Sequence, residues 1–213
     1  MCSSDLPGEP PDRLAIDDYA ADIEALVDAL DGGGAVIGGL SMGGYVVLAM
    51  LRRARVRPAG LILADTRAEA DSEEARARRR RLQELAATEG AAAVAREMLP
   101  ALLGETTRRE RPAIAAEVRA LIEANPPAAI RAALAAMMDR PDSTGLLGRI
   151  DVPTLVVVGA EDTTTPRETA ERLHRAIAGS RLAVVEGAGH LSNLENPHAF
   201  GVALEAFLAG CAA

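Results

Sequence analysis

Glycines crowd one serine in Gly38-Gly39-Leu40-Ser41-Met42-Gly43-Gly44, and the chain carries three histidines that could serve it as a base. A serine hydroxyl is a weak nucleophile until a general base takes its proton, and the base in turn needs an acid to orient it. Gly39-Leu40-Ser41-Met42-Gly43 fits G-x-S-x-G, the nucleophile-elbow pattern, which holds a serine on a sharp strand-to-helix turn. On this reading Gly39 and Gly43 are glycine because side chains there would collide with the packing of strand against helix. The helix that starts here aims its free N–H groups and positive dipole end at the serine, so the Met42 amide is a candidate oxyanion donor. Two other glycine-rich loops are excluded by spacing. A phosphate-binding loop ends in Gly-Lys-Ser/Thr and a dinucleotide fingerprint needs G-x-G-x-x-G, and the stretch offers neither.

Among the histidines, His174 sits mid-helix in ERLHRAI and His198 follows Pro197 at a helix start, where surface or capping roles are expected. His190 differs. It closes the glycine-rich loop Glu186-Gly187-Ala188-Gly189-His190 behind an apolar strand, at the rim where a general base would stand. The orienting acid should lie on the same rim, between serine and histidine in the chain. Asp162, in Gly159-Ala160-Glu161-Asp162, is the first choice and Asp65, at the end of an earlier strand, the second; Glu161 is expected to face solvent or cap its turn.

These residues need a scaffold, and the text around them supplies alternating elements. Ile16, Tyr19, Ile23, Leu26, Val27 and Leu30 recur at helical spacing and stop at Asp31-Gly32-Gly33-Gly34. Strands are expected over residues 35–40, 61–64, 154–158 and 182–185, and helices over 45–55, 169–178 and 197–208. Continuous apolar strands separated by helices imply a parallel sheet covered on both faces, an α/β class. Residues 67–149 read as helices inserted between two strands, broken at Gly90, Pro100, Gly104, Pro112, Pro126-Pro127 and Pro141. Such an insertion stands above the carboxyl ends of the strands, where open α/β sheets bind ligands. The basic run at Arg76 and Arg78 to Arg81 follows Asp71, Glu73 and Glu74 and reads as a solvated helix face.

Composition narrows the function classes. A formal charge of −8 argues against nucleic acid as the main partner. No apolar run reaches about 18 residues, so no membrane span is expected, and the first twelve residues lack the apolar core of a signal peptide; the cytoplasm is the expected location. Cys2 and Cys211, near opposite ends, imply no disulfide framework, and no His/Asp/Glu cluster has metal-ligand spacing, so no cofactor or metal is expected. Aromatic residues are confined to Tyr19, Tyr45, Phe200 and Phe207, outside the insertion. Packing is the expected role of Met98, Met137 and Met138, and nothing here fixes a substrate or an oligomeric state.

GLSMGG around Ser41, VVVGAEDTTTP around Asp162 and EGAGHLSNLENP around His190, in that order, resemble the α/β-hydrolase superfamily in its capped esterase/lactonase-like branch. LADTRAEAD is similar to a segment of 3-oxoadipate enol-lactonase-type proteins. The resemblance covers about residues 13–210. It implies a core from residues 13–66 and 146–213, a helical cap from 67–145, and a Ser41–His190–Asp162 triad working through an acyl-enzyme. It also implies several strands and a His-Gly loop before the elbow strand, where this chain has one helix. The fold expectation is therefore a parallel-sheet α/β-hydrolase core with an inserted cap and its early strands missing. Residues 1–12 are then a leader: CSSDL resembles a translated sequencing-adapter end, with a natural Pro-rich leader as the alternative. A chain of this kind is expected to have a half-built oxyanion hole, an apolar edge strand, and poor activity and solubility. The functional expectation is a serine hydrolase acting on a small ester, lactone or related acyl substrate. The alternatives are a non-catalytic small-ligand binder, or C–C bond hydrolysis or acyl transfer by the same triad.

Overall fold

The computed structural model describes residues 14–30 and 34–211, so the expected leader at 1–12 lies outside the described residues. The chain runs α1 (Ile16–Ala29), β1 (Val36–Leu40), α2 (Met42–Arg53) and β2 (Gly60–Ala64). An insertion follows, with α3 (Glu73–Glu89), α4 (Ala91–Leu102), α5 (Glu105–Glu110), α6 (Pro112–Glu123), α7 (Pro127–Asp139) and α8 (Thr144–Leu147). The sheet resumes with β3 (Thr154–Gly159), α9 (Arg167–Ala176) and β4 (Arg181–Val185), and the chain closes with α10 (Ser192–Glu195) and α11 (Pro197–Cys211).

The strands form one parallel sheet in the order β1-β2-β3-β4. Leu40 lies level with Ala64 and Gly159 with Val185, so the residues after each strand leave at one rim. β3 is buried along its whole length and its side chains alternate between two cores. Val156 and Val158 join Val47 and Leu48 of α2 and Leu173 of α9, whereas Leu155 and Val157 join Phe207 of α11. Both faces of β3 are therefore covered, as its uninterrupted apolar text requires. α1 lays Ile16 and Ala20 against Tyr45, Ala49 and Met50 of α2. Among the described residues β1 is an edge strand, paired with β2 alone.

The boundaries differ from expectation where proline and glycine act through context. α2 begins at Met42, directly after Ser41, because the turn leads straight into the helix. Pro112 and Pro127 start helices instead of breaking them, occupying the first position, where the missing N–H is not needed. Pro100, expected as a breaker, lies in the last turn of α4. The short α10 was not anticipated. Met98 and Met137 pack within the insertion against Leu82, Val94 and Leu134. Among the basic run, Arg79 departs from the solvated face and turns inward to Asp71 at 2.6 Å.

Candidate active site

Ser41 stands between β1 and α2 at φ 52°, a left-handed conformation that a side chain rarely adopts. Its main chain is held in that strained turn from three sides. Its N–H donates to the Ala64 carbonyl at 2.9 Å, and its carbonyl accepts from Gly44 N at 3.0 Å and from the Thr66 hydroxyl at 2.7 Å. The glycine pattern has a different cause from the expected one. A Cβ at Gly39 would overlap the Gly43 carbonyl, and a Cβ at Gly44 would overlap Thr66, whereas a Cβ at Gly43 meets open space. Gly39 and Gly44 close the turn sterically; Gly43 does not.

His190 arrives on the loop after β4. Its ring is almost wholly buried, with Nε2 2.7 Å from Ser41 Oγ and Nδ1 2.8 Å from Asp162 Oδ2. With the Nδ1 hydrogen given to the carboxylate, Nε2 has its lone pair free to accept the serine proton. Asp162 is further fixed by its own turn. Oδ1 accepts from Thr164 N and Thr165 N at 2.7 and 2.9 Å, and Oδ2 accepts from the Thr165 hydroxyl at 2.5 Å. Burial pushes the Asp162 carboxyl up, but the hydrogen bond and charge of His190 and the Thr165 hydrogen bonds outweigh it and hold it below the usual carboxylate range. The site thus keeps an ionised acid, an oriented imidazole and a hydroxyl in one continuous line.

Asp65, the second choice for the acid, does not reach the ring. It leaves β2 at φ 45° and accepts from Gly159 N at 2.8 Å, from Ser192 N at 3.3 Å and from the Ser192 hydroxyl at 2.5 Å, tying the loop after His190 to the end of β3. The reason is directional: the carboxylate points at the β3 terminus, and Ser192 occupies the side facing the histidine loop. Glu161 is also corrected. It turns to the insertion, accepting from Thr106 N at 2.8 Å and from the Thr106 hydroxyl at 2.5 Å. His174 bonds Ser180 at 2.8 Å, and His198 is exposed at the start of α11. Met42, the candidate oxyanion donor, is the first residue of α2, where leading N–H groups have no intrahelical acceptor.

Four residues around the site were not anticipated: Thr66, Thr165, Ser192 and Glu195. Of these Thr165 had a signal, since an aspartate followed by threonines two and three places on is a side-chain-to-backbone turn pattern. Among the described residues no His, Cys, Asp or Glu cluster could hold a metal ion, and no helix is long and apolar enough to cross a membrane.

Comparison with known proteins gives consistent matches. A family model described as Alpha/beta hydrolase family matches residues 4–202. A thermophilic esterase from Thermogutta terrifontis superposes with a TM-score of 0.89 at 41% identity, covering 97% of this chain and 75% of that one. The enol-lactonase from Burkholderia xenovorans LB400 superposes with a TM-score of 0.83 at 28% identity, covering 92% and 74%. Pimeloyl-(acyl-carrier protein) methyl ester esterase of Neisseria meningitidis serogroup A is 43% identical over 84 residues, 39% of this chain; the match spans 27% of that relative's length.

Proposed function

The chain belongs to the alpha/beta hydrolase family, and from that premise we propose that it is a serine hydrolase of small esters, lactones or related acyl compounds. Ser41 is the nucleophile, His190 the general base, Asp162 its orienting acid and the Met42 amide an oxyanion donor. The observation that carries this reading is the line from Ser41 Oγ through both nitrogens of one buried imidazole to Asp162, with neither hydrogen bond longer than 2.8 Å. Similarity to proteins named esterase and enol-lactonase supports the substrate class.

The chemistry follows from the atoms. Nε2 of His190 takes the Ser41 proton as Oγ bonds to the substrate carbonyl carbon, and the carbonyl oxygen becomes an oxyanion facing the Met42 N–H. Collapse of that adduct breaks the carbon–oxygen bond of the ester, and the imidazolium returns its proton to the departing alkoxide. The acyl group now sits on Ser41. Water, deprotonated by the same nitrogen, attacks the acyl carbon and releases the acid and the serine. Asp162 stays ionised throughout and stabilises the transient imidazolium.

Residues 67–145 are read as a cap over this rim, supported by the insertion's close approach to the histidine loop, where His190 N donates to the Leu102 carbonyl at 3.1 Å. The test is labelling with a fluorophosphonate, comparing the chain with its Ser41→Ala variant. Labelling that disappears in the variant is the expected result. A chain that stays unlabelled, or is labelled equally without Ser41, would overturn the assignment.

A further inference from the structure

Glu195 ends α10 with its side chain wholly buried. Its carboxylate takes three hydrogen bonds from main-chain amides. Oε1 accepts from Gly189 N at 2.9 Å and from Leu191 N at 3.1 Å, the residues on either side of His190. Oε2 accepts at 2.8 Å from Gly104 N, in the insertion at the junction of α4 and α5. The amide of His190 itself goes to the Leu102 carbonyl at 3.1 Å. Three successive amides, 189 to 191, are thus anchored to two acceptors, and one of those acceptors also grips the insertion.

The contact is close enough to transmit position. A Cβ at Gly104 would stand 2.9 Å from Gly189 N, and one at Gly189 would overlap the main chain of Gly104, so the two backbones meet with no side chain between them. A second staple runs parallel. Arg111, at the end of α5, donates to the Glu195 carbonyl and, at 2.8 Å, to the Gly187 carbonyl. Charge-assisted hydrogen bonds of this kind are the strong ones, and a buried carboxylate is tolerated only when its lone pairs are satisfied. The imidazole must meet Ser41 on one side and Asp162 on the other, so a small shift of its main chain breaks one contact or both.

We propose that Glu195 is a positioning residue: by clamping the amides flanking His190 to Gly104, it fixes the imidazole between Ser41 and Asp162 and ties that register to the placement of the insertion. This rests on the functional reading above. Glu195 touches no reacting atom. Its effect travels through the loop main chain.

Glu195→Gln in the full chain tests it, because the amide keeps the volume but presents a donor where a second acceptor is needed. Labelling by a fluorophosphonate and hydrolysis of p-nitrophenyl acetate are measured per folded molecule, well below the melting temperature recorded by circular dichroism. A misplacement near 1 Å costs on the order of 100-fold in rate. The expected result is therefore a fall of about 10-fold to 100-fold in labelling rate and kcat, with KM within about twofold of wild type. A merely structural carboxylate lowers the melting temperature and leaves the rate per folded molecule unchanged, which would overturn the proposal. The proton resonance of His190 Nδ1 gives a readout independent of any reaction. It shifts or broadens in the Gln variant if the ring is repositioned, and an unaltered resonance counts against the proposal. If the Gln variant does not fold, Arg111→Met releases the same loop from its other staple; a loss in kcat at constant KM is expected there, and wild-type rates would overturn the inference. A wild-type chain that Ser41 fails to label sinks the functional reading. Wild-type labelling at Ser41, matched by the Gln variant, sinks this inference alone.

Discussion

Asp65 and Asp162 end neighbouring strands with the same carboxyl group, yet their surroundings drive them in opposite directions. Burial raises Asp65 to about 7, against the opposing hydrogen bonds from Ser192 and Gly159 and the charge of His190. At Asp162 burial also pushes upward, but the hydrogen bond and charge of His190 win and the net direction is down. The signs for stability follow from proton binding. Folded Asp65 binds a proton that the unfolded chain has released between about pH 4 and pH 7, so its contribution falls as pH rises through that window, and the cost is fully present above about 7. Asp162 contributes stability above the ordinary carboxylate value and loses it as pH falls through its depressed folded value. We expect Asp65→Asn to flatten the decline of Tm between pH 5 and pH 8. Thermal melts across that range would check it, and parallel curves for the two proteins would refute the assignment.

At the scale of elements, the turn between β1 and α2 is closed by two glycines of unequal visibility. Gly39 abuts the Gly43 carbonyl and Gly44 abuts Thr66, on the residue pair that follows β2. Gly43, in the serine motif itself, has open space where a Cβ would stand. Gly39→Ala and Gly44→Ala are therefore expected to abolish soluble folded protein or cut Tm steeply. Gly43→Ala should fold and gain about 0.5–1 kcal/mol from its helical position. Urea unfolding of the three variants tests the ranking; a Gly43 variant as damaged as the other two would contradict the steric account.

Across the whole molecule, the two ends of the insertion are fastened to each other and to α2 by more than covalent linkage. Arg140, after α7, donates to Asp71 at 2.7 Å and to the carbonyls of Met137 and Glu69 at 2.6 and 2.8 Å, while its guanidinium lies 3.9 Å above the Tyr45 ring of α2. Its side chain and that of Asp71 are both buried, and Arg79 closes the cluster. Hydrogen bonds and ion pairing hold Asp71 below the usual carboxylate range although burial opposes them. Removing Arg140 leaves Asp71 with Arg79 alone and takes the donor from the carbonyls of Met137 and Glu69. Arg140→Met is expected to cost about 1–3 kcal/mol, which for a chain of this size is a Tm lower by roughly 5 °C, read by circular dichroism. A variant melting with wild type would show that the clamp is not what holds the two ends of the insertion together.

The parallel α/β sheet was legible because its causes are local. Apolar runs such as Leu155 to Val158 have to be buried on both faces, and the periodicity of Ile16 to Leu30 specifies one apolar helix stripe. Likewise Ser41, Asp162 and His190 each follow a strand, so their types and their rim positions could be read from the chain alone. That one imidazole lies within hydrogen-bond reach of the other two is a fact of tertiary structure. Which acid points at the histidine depends on the direction each carboxylate takes as it leaves its strand, and Asp65 and Asp162 are indistinguishable in that respect as text. Glu161 and Glu195 show the same limit more sharply. Glu161 reads as a solvent-facing or turn-capping carboxylate and Glu195 carries no signal of its own, yet both turn to main-chain amides of an insertion more than fifty residues away in sequence. A carboxylate's partners are set by whichever donors the fold brings within about 3 Å, and no local pattern encodes donors that arrive from a distant helix.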